Sequence, residues 1–302
     1  MTDTGVPPDI SSEMRRAIRL EYWTLLWIGS IVAVMYFAMG SSQAMKSAWI
    51  EDLLSLIPAI VFIVAAFFER RAPNDKFRFG YSRVNSLAFL ISAVALVSVG
   101  GFLLFESIKT LILQEHPSIG LITMFGHDIW LGWAMIAALI YSVVPPVILG
   151  RLKQPLAKKM QDKVLHTDAL MQKADWTTGL AGILGVLGVG LGLWWADAVA
   201  AGFISFEILR DGIKNLRTST AELIDGMPRA LDSNDIADDA RDLELALLQK
   251  YPEARVRMRE SGRYILVQID EPGLADDIMA GIEPPKRPWR LHNISVDISH
   301  GD

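Results

Sequence analysis

Asp168, Met171, Gln172 and Asp175 fall at i, i+3, i+4 and i+7 within HTDALMQKADW, residues 166–176. In a helix that spacing puts all four on one stripe. Two carboxylates and a thioether so arranged can offer oxygen and sulfur ligands to a divalent cation. A second acidic group, Glu51-Asp52-Leu53-Leu54-Ser55, sits inside another apolar run, with Glu51 and Ser55 four apart and on one face. Ionisable residues inside a membrane helix cost of order 3 kcal/mol each, so they mark functional positions by default. Together the two groups could hold a cation between two helices. Plainer readings stand beside both. Glu51 and Asp52 could be interfacial carboxylates at a helix end, and the stripe could lie on a solvated extension of a helix that begins only at Trp176. Lys173, next to the stripe, could pair with a carboxylate and weaken a cation site.

The elements that must position these residues follow from hydropathy. About 20 apolar residues in a helix cross a bilayer. Four spans read directly, at about 20–40, 48–68, 84–108 and 129–149. A fifth apolar stretch, about 164–213, is too long for one helix and is broken by GVGLG at Gly188–Gly192. Basic residues cluster before span 1 (Arg15, Arg16, Arg19), between spans 2 and 3 (Arg70, Arg71, Lys76, Arg78, Arg83), between spans 4 and 5, and after the long stretch. The positive-inside rule places all of these on the cytoplasmic side. Both termini are then inside, which demands an even number of spans, so the long stretch is read as two helices with a tight hairpin. Asp197 is read as the N-cap of the sixth.

With 302 residues, 51% of them hydrophobic, and a positive mean hydropathy, the composition is that of a polytopic membrane protein. The first fourteen residues are polar, so no cleavable signal peptide is expected and the first span is retained. With no cysteine, disulfides and thiolate metal sites are excluded. From Arg217 to Asp302 there are 17 acids against 11 Lys/Arg. That acidic segment is the water-facing part, and nothing basic enough for nucleic acid exists. It reads as a small α+β domain: a helix in DSNDIADDARDLELALLQKYP, a hairpin in ARVRMRESGRYILVQIDEP around Ser-Gly, and a last strand in LHNISVDIS. The expected division is a 1–19 tail, a 20–216 membrane domain and a 217–302 C-terminal domain. His116 and His127 fall in the loop between spans 3 and 4, and His292 and His300 near the C-terminus; all four are read as surface residues, with metal capture on the far side the alternative for the first pair and a terminal-domain metal site for the second.

Three segments, in this order and spacing, resemble the cation diffusion facilitator family across most of the chain. FRFGYSRVNSLAFL (77–90) is similar to the family's FGxxRxxxLA entry into its third helix. TDALMQKADWTTG resembles its fifth-helix AD-x-x-H-x-x-x-D segment. WWADAVAAGFISFEILRDGIKNLRTSTAELIDGMP (194–228) is similar to its sixth helix and linker. The resemblance implies a homodimeric inner-membrane transporter, not an enzyme, with a six-helix membrane domain and a ferredoxin-like cytoplasmic tail. It would exchange a divalent cation, zinc or another first-row metal, for protons, carrying no resident cofactor. It also implies a tetrahedral site formed by helices 2 and 5. Asp175 matches that site's helix-5 aspartate and Asp168 the preceding one, while Met171 stands where the histidine is kept. The helix-2 pair becomes Glu51 and Ser55, or with a one-residue shift Asp52 and Leu56. The site is therefore altered: a set of Glu or Asp, Ser, Met and Asp has no nitrogen ligand and would hold zinc more weakly. The family's accessory positions offer Asp75, with Phe77 and Tyr81 where histidines are common, and in the tail Gln268 and Val296 or Asp297. A transport-incompetent relative acting as a regulatory or assembly partner is the alternative.

Overall fold

A computed structural model describes residues 8–38, 49, 52–114, 121–124, 127–270, 278 and 286–296. Among the described residues six long helices come first: α1 (Pro8–Ala38), α2 (Leu56–Glu69), α3 (Arg83–Ile112), α4 (Leu131–Met160), α5 (Lys163–Gly190) and α6 (Ala196–Leu223). A helical turn at Asp52–Leu54 leads through Ser55 into α2. Four segments are long and apolar enough to cross a membrane: Ile10–Tyr36, Asp52–Glu69, Arg83–Ile112 and Met135–Met160. The chain is thus a multi-pass membrane protein. α5 and α6, at 28 residues each, are comparable in length to the longer of these segments.

The helices depart from expectation mostly at their ends. α1 begins at Pro8, inside the segment read as a free tail, and α4 runs on to Met160 through Pro145, Pro146 and Pro155. α5 begins at Lys163, so the polar stripe is helical throughout and not an extension preceding Trp176. The break at the glycine-rich segment is real, with Gly192 at φ +87° in the turn. α6 is capped at Trp195, which puts Asp197 inside the helix and corrects its reading as the N-cap. A short antiparallel ribbon, β1 (Leu121–Met124) with β2 (His127–Trp130), joins α3 to α4 where only a loop is expected.

Packing within the bundle is closest between α3 and α6 and between α4 and α5. A Cβ at Gly100 would lie 2.6 Å from the Leu209 nitrogen, and one at Gly212 would lie 2.9 Å from the Val97 nitrogen. The α3 and α6 backbones are in contact there, which only glycine permits.

The C-terminal region is a small α+β unit: α7 (Asp238–Lys250), β3 (Arg255–Ser261), β4 (Tyr264–Asp270), a 3-10 turn (Pro288–Arg290) and β5 (Leu291–Val296). β4 pairs antiparallel with β3 and parallel with β5. Leu243 and Leu247 of α7 are buried against the sheet, whereas Leu245 and Leu248 face outward. The β3–β4 turn is wedged into the end of the helix bundle. Gly262 takes φ +63°, and a Cβ there would lie 2.5 Å from the Ser82 carbonyl oxygen. Its N–H donates to the Ser86 hydroxyl at 2.9 Å. Arg263, fully buried, donates to Glu69 at the end of α2 (2.8 Å) and to Asp162 between α4 and α5 (2.9 Å). Lys163 bridges Glu222 of α6 and Glu260 of β3, and Arg290 ties Glu260 to Asp239. Every one of these side chains is at most 5% exposed. Buried charges are tolerated only when paired in this way.

Candidate functional site

Ser55 and Asp175 meet. The Ser55 hydroxyl donates to the Asp175 carboxylate at 2.6 Å, joining the start of α2 to α5. Ser55 is fully buried and Asp175 half-buried. The helical turn before Ser55 places Asp52 in electrostatic range of Asp175 as well. Glu51, the other acid of that group, lies outside the described residues. Asp175 has no ion pair among the described residues, and the Ser55 hydroxyl is the hydrogen-bond donor it receives there.

The rest of the stripe is used differently. Asp168, expected beside Asp175 as a ligand, is instead held by Lys153 of α4, and the same ammonium donates to Glu21 of α1 at 2.8 Å. All three side chains of this triad have no exposed surface. One Asp168 oxygen meets the ammonium, and the other has no hydrogen-bond partner among the described residues. Met171 is also fully buried, but within an apolar cluster with Leu96, Val99, Ala174 and Ile208 and against Leu54 and Ile57. Its side chain packs there between α5 and the α3–α6 pair. Gln172 is fully buried, and neither of its amide atoms has a hydrogen-bond partner among the described residues. It faces α4, where a Cβ at Gly150 would come within 3.2 Å of its own Cβ. Lys173 points away from the stripe and lines a shallow recess with Glu207 and Asp211 of α6.

Two participants were not singled out by sequence. Lys153 reads as one more basic residue after span 4, yet it is folded back into the bundle. Glu21 lies in the first apolar run, and an acid there is itself a signal of a buried partner. Among the histidines, His292 sits on β5 with its ring 5.4 Å from that of Tyr264, and His127 belongs to β2. His116, His300 and Asp297 lie outside the described residues. Among the described residues no three His, Asp or Glu side chains converge as a preformed metal cluster.

The family model for the cation efflux transmembrane domain matches residues 23–224. The chain is 22% identical over 187 residues to the manganese efflux system protein MneS of Bacillus subtilis, covering 61% of this chain and 60% of that protein. It is 26% identical over 196 residues to a cadmium, cobalt and zinc/H(+)-K(+) antiporter of Bacillus velezensis, covering 62% and 55%. It is 23% identical over 225 residues to the zinc transporter ZitB of Escherichia coli, covering 72% and 63%. The matches thus span little more than half the length of these relatives.

Proposed function

The chain belongs to the cation efflux family, and from that premise we propose that it exports a divalent cation by proton antiport through a site between α2 and α5. The observation that carries this reading is the Ser55–Asp175 contact. It brings together the two helices on which the membrane ligands were sought and leaves one carboxylate without a resident counter-ion. Asp175, Ser55 and the acids of the preceding turn, Asp52 and Glu51, supply the donors. With Met171 in apolar packing and no histidine in the stripe, the donors are all oxygen. Such a set suits a hard divalent cation such as manganese better than zinc, and one relative is named for manganese efflux. Each carboxylate would release part of the cation's charge in exchange for a proton arriving from the opposite side, as the name of the Bacillus velezensis relative suggests for that protein.

All six long helices span the membrane in this reading, with both termini cytoplasmic and a second copy completing a homodimer. The close α3–α6 pair serves as a base against which α1, α2, α4 and α5 rock to alternate access. The test is flux from proteoliposomes across a panel of manganese, zinc, cobalt and cadmium, with and without a pH gradient. Flux that a pH gradient drives and Asp175→Ala abolishes supports the reading. Absence of flux for every ion overturns it in favour of a second reading, a transport-incompetent regulatory or assembly partner. The apolar packing of Met171, at the position where the resemblance implies a histidine, is what favours that alternative.

A further inference from the structure

The connection between α2 and α3 has a surface that transport does not use. Every residue from Arg70 to Phe79 is exposed. Four are basic (Arg70, Arg71, Lys76, Arg78) against the single acid Asp75. Among them stand two phenylalanines, Phe77 at 54% and Phe79 at 99% exposure. Phe79 is the most exposed large apolar side chain among the described residues. In a loop surrounded by water this would be an unsupported display of apolar surface next to a concentration of one charge.

The loop is also built to hold that display. The Asn74 carboxamide accepts from the N–H groups of Lys76 and Phe77 and donates to the Tyr81 hydroxyl at 2.7 Å. Phe77 packs on Tyr81 with ring centroids 4.9 Å apart. Gly80 turns the chain at φ +77°, with its N–H on the Phe77 carbonyl. Arg71 lies over the rings of Phe67 and Phe68, continuing the aromatic surface down onto α2. Arg70, Lys76 and Arg78 have no ion pair among the described residues, whereas Arg83, just beyond, is spent on Asp225. The charges that remain are therefore available to an outside partner.

What that partner is follows from position. The loop joins the last residues of one membrane-crossing segment, Asp52–Glu69, to the first of the next, Arg83–Ile112. It must lie at the boundary between headgroups and water. There, aromatic rings enter the interface and Lys/Arg side chains meet lipid phosphates. We propose that the α2–α3 loop is a lipid anchor, inserting Phe79 among the acyl–headgroup boundary and binding anionic phospholipid headgroups through Arg70, Lys76 and Arg78. The proposal requires only that α2 and α3 cross the membrane, so it stands or falls separately from cation export.

The cysteine-free chain makes the test direct. The full chain carrying Phe79→Cys, labelled with an environment-sensitive nitrobenzoxadiazole fluorophore, is reconstituted into vesicles of phosphatidylcholine alone or mixed with phosphatidylglycerol. The same label at Asp75→Cys serves as the reference. The expected result is quenching of the position-79 label by nitroxide lipids, exceeding that at position 75 by about two-fold or more and increasing with phosphatidylglycerol. Replacing Arg70, Lys76 and Arg78 together by Gln should remove the increase due to phosphatidylglycerol. Inorganic phosphate added to phosphatidylcholine vesicles should not reproduce it. Equal quenching at both positions, or a phosphatidylglycerol response that survives the triple replacement, would overturn the proposal. Because the labelled position is on an exposed loop, circular dichroism of each variant verifies that the helices are intact.

Discussion

Asp168 and Asp175 stand two turns apart on α5, and the bundle treats them in opposite ways. Asp168 is sealed from solvent and shares the Lys153 ammonium with Glu21. Asp175 is half-buried and receives only the Ser55 hydroxyl among the described residues. The first carries its own cation on a tether, so its charge contributes to architecture. The second accepts a hydroxyl and has no ion pair among the described residues, which under the proposed function is what makes it the position for a mobile ion. Residue type and spacing were the same in both cases; what separates structure from chemistry is whether a neighbouring helix supplies a permanent positive charge.

The most severe way to probe that contrast is Asp175→Ala, which should reduce cation flux to that of protein-free vesicles while leaving detergent-solubilised thermal stability almost unchanged. Lys153→Met should do the reverse in kind. It strands two buried carboxylates, a loss of about 3–5 kcal/mol, read as a large fall in Tm. The triple variant Glu21→Gln, Lys153→Met, Asp168→Asn should recover most of that loss, because a neutral cluster replaces the charged one. If the triple variant also loses all flux with normal Tm, Asp168 is part of the transport site and the contrast fails. Ser55→Ala removes one hydrogen bond to Asp175, of about 1 kcal/mol. It should raise the cation concentration for half-maximal flux roughly five-fold, with little change in maximal rate.

The smallest effect lies at the exposed end of the same scale. Asp225 is half-exposed and meets Arg83 and Arg259. Desolvation works against its ionisation, and the two guanidiniums outweigh it, so its carboxyl is held below the usual range. A lowered value in the folded state means stability that is present above the ordinary Asp range, about 3.9, and lost as the pH falls through the lower folded value. Asp225→Asn should therefore cost less than about 1 kcal/mol near neutrality, and its Tm difference from the parent should vanish on acidification.

Much of the architecture is legible in the chain. Runs of apolar residues mark the long helices, and Gly188–Gly192 marks the turn between α5 and α6. The alternation around Ser261-Gly262 marks the β3–β4 hairpin. Helix ends are less legible because tertiary packing extends them: α1 begins at Pro8 although its span reads from about residue 20, and Ile10, Met14 and Ala17 of the added turns are buried in the bundle core. The candidate site is only partly legible: the family resemblance puts Asp175 and Ser55 on helices 5 and 2, and the structure shows those two side chains in contact. Lys153 illustrates why the remainder is not. A lysine near the end of an apolar run counts as a cytoplasmic charge in any tally of loops, and only the fold reveals that it turns inward to Glu21 and Asp168. Met171 shows the converse, since a residue aligned with a ligand position can be committed to packing.

The Gly262–Arg263 turn has a consequence for how the molecule is assembled. Glu69 and Asp162 belong to parts of the bundle synthesised well before the hairpin, yet their guanidinium partner arrives about a hundred residues after Asp162. Until then, that end of the bundle holds two acids awaiting their counter-charge. Completion of the C-terminal domain is therefore a closing step in biogenesis, and a chain interrupted before Arg263 would present those uncompensated acids as a mark of an unfinished product.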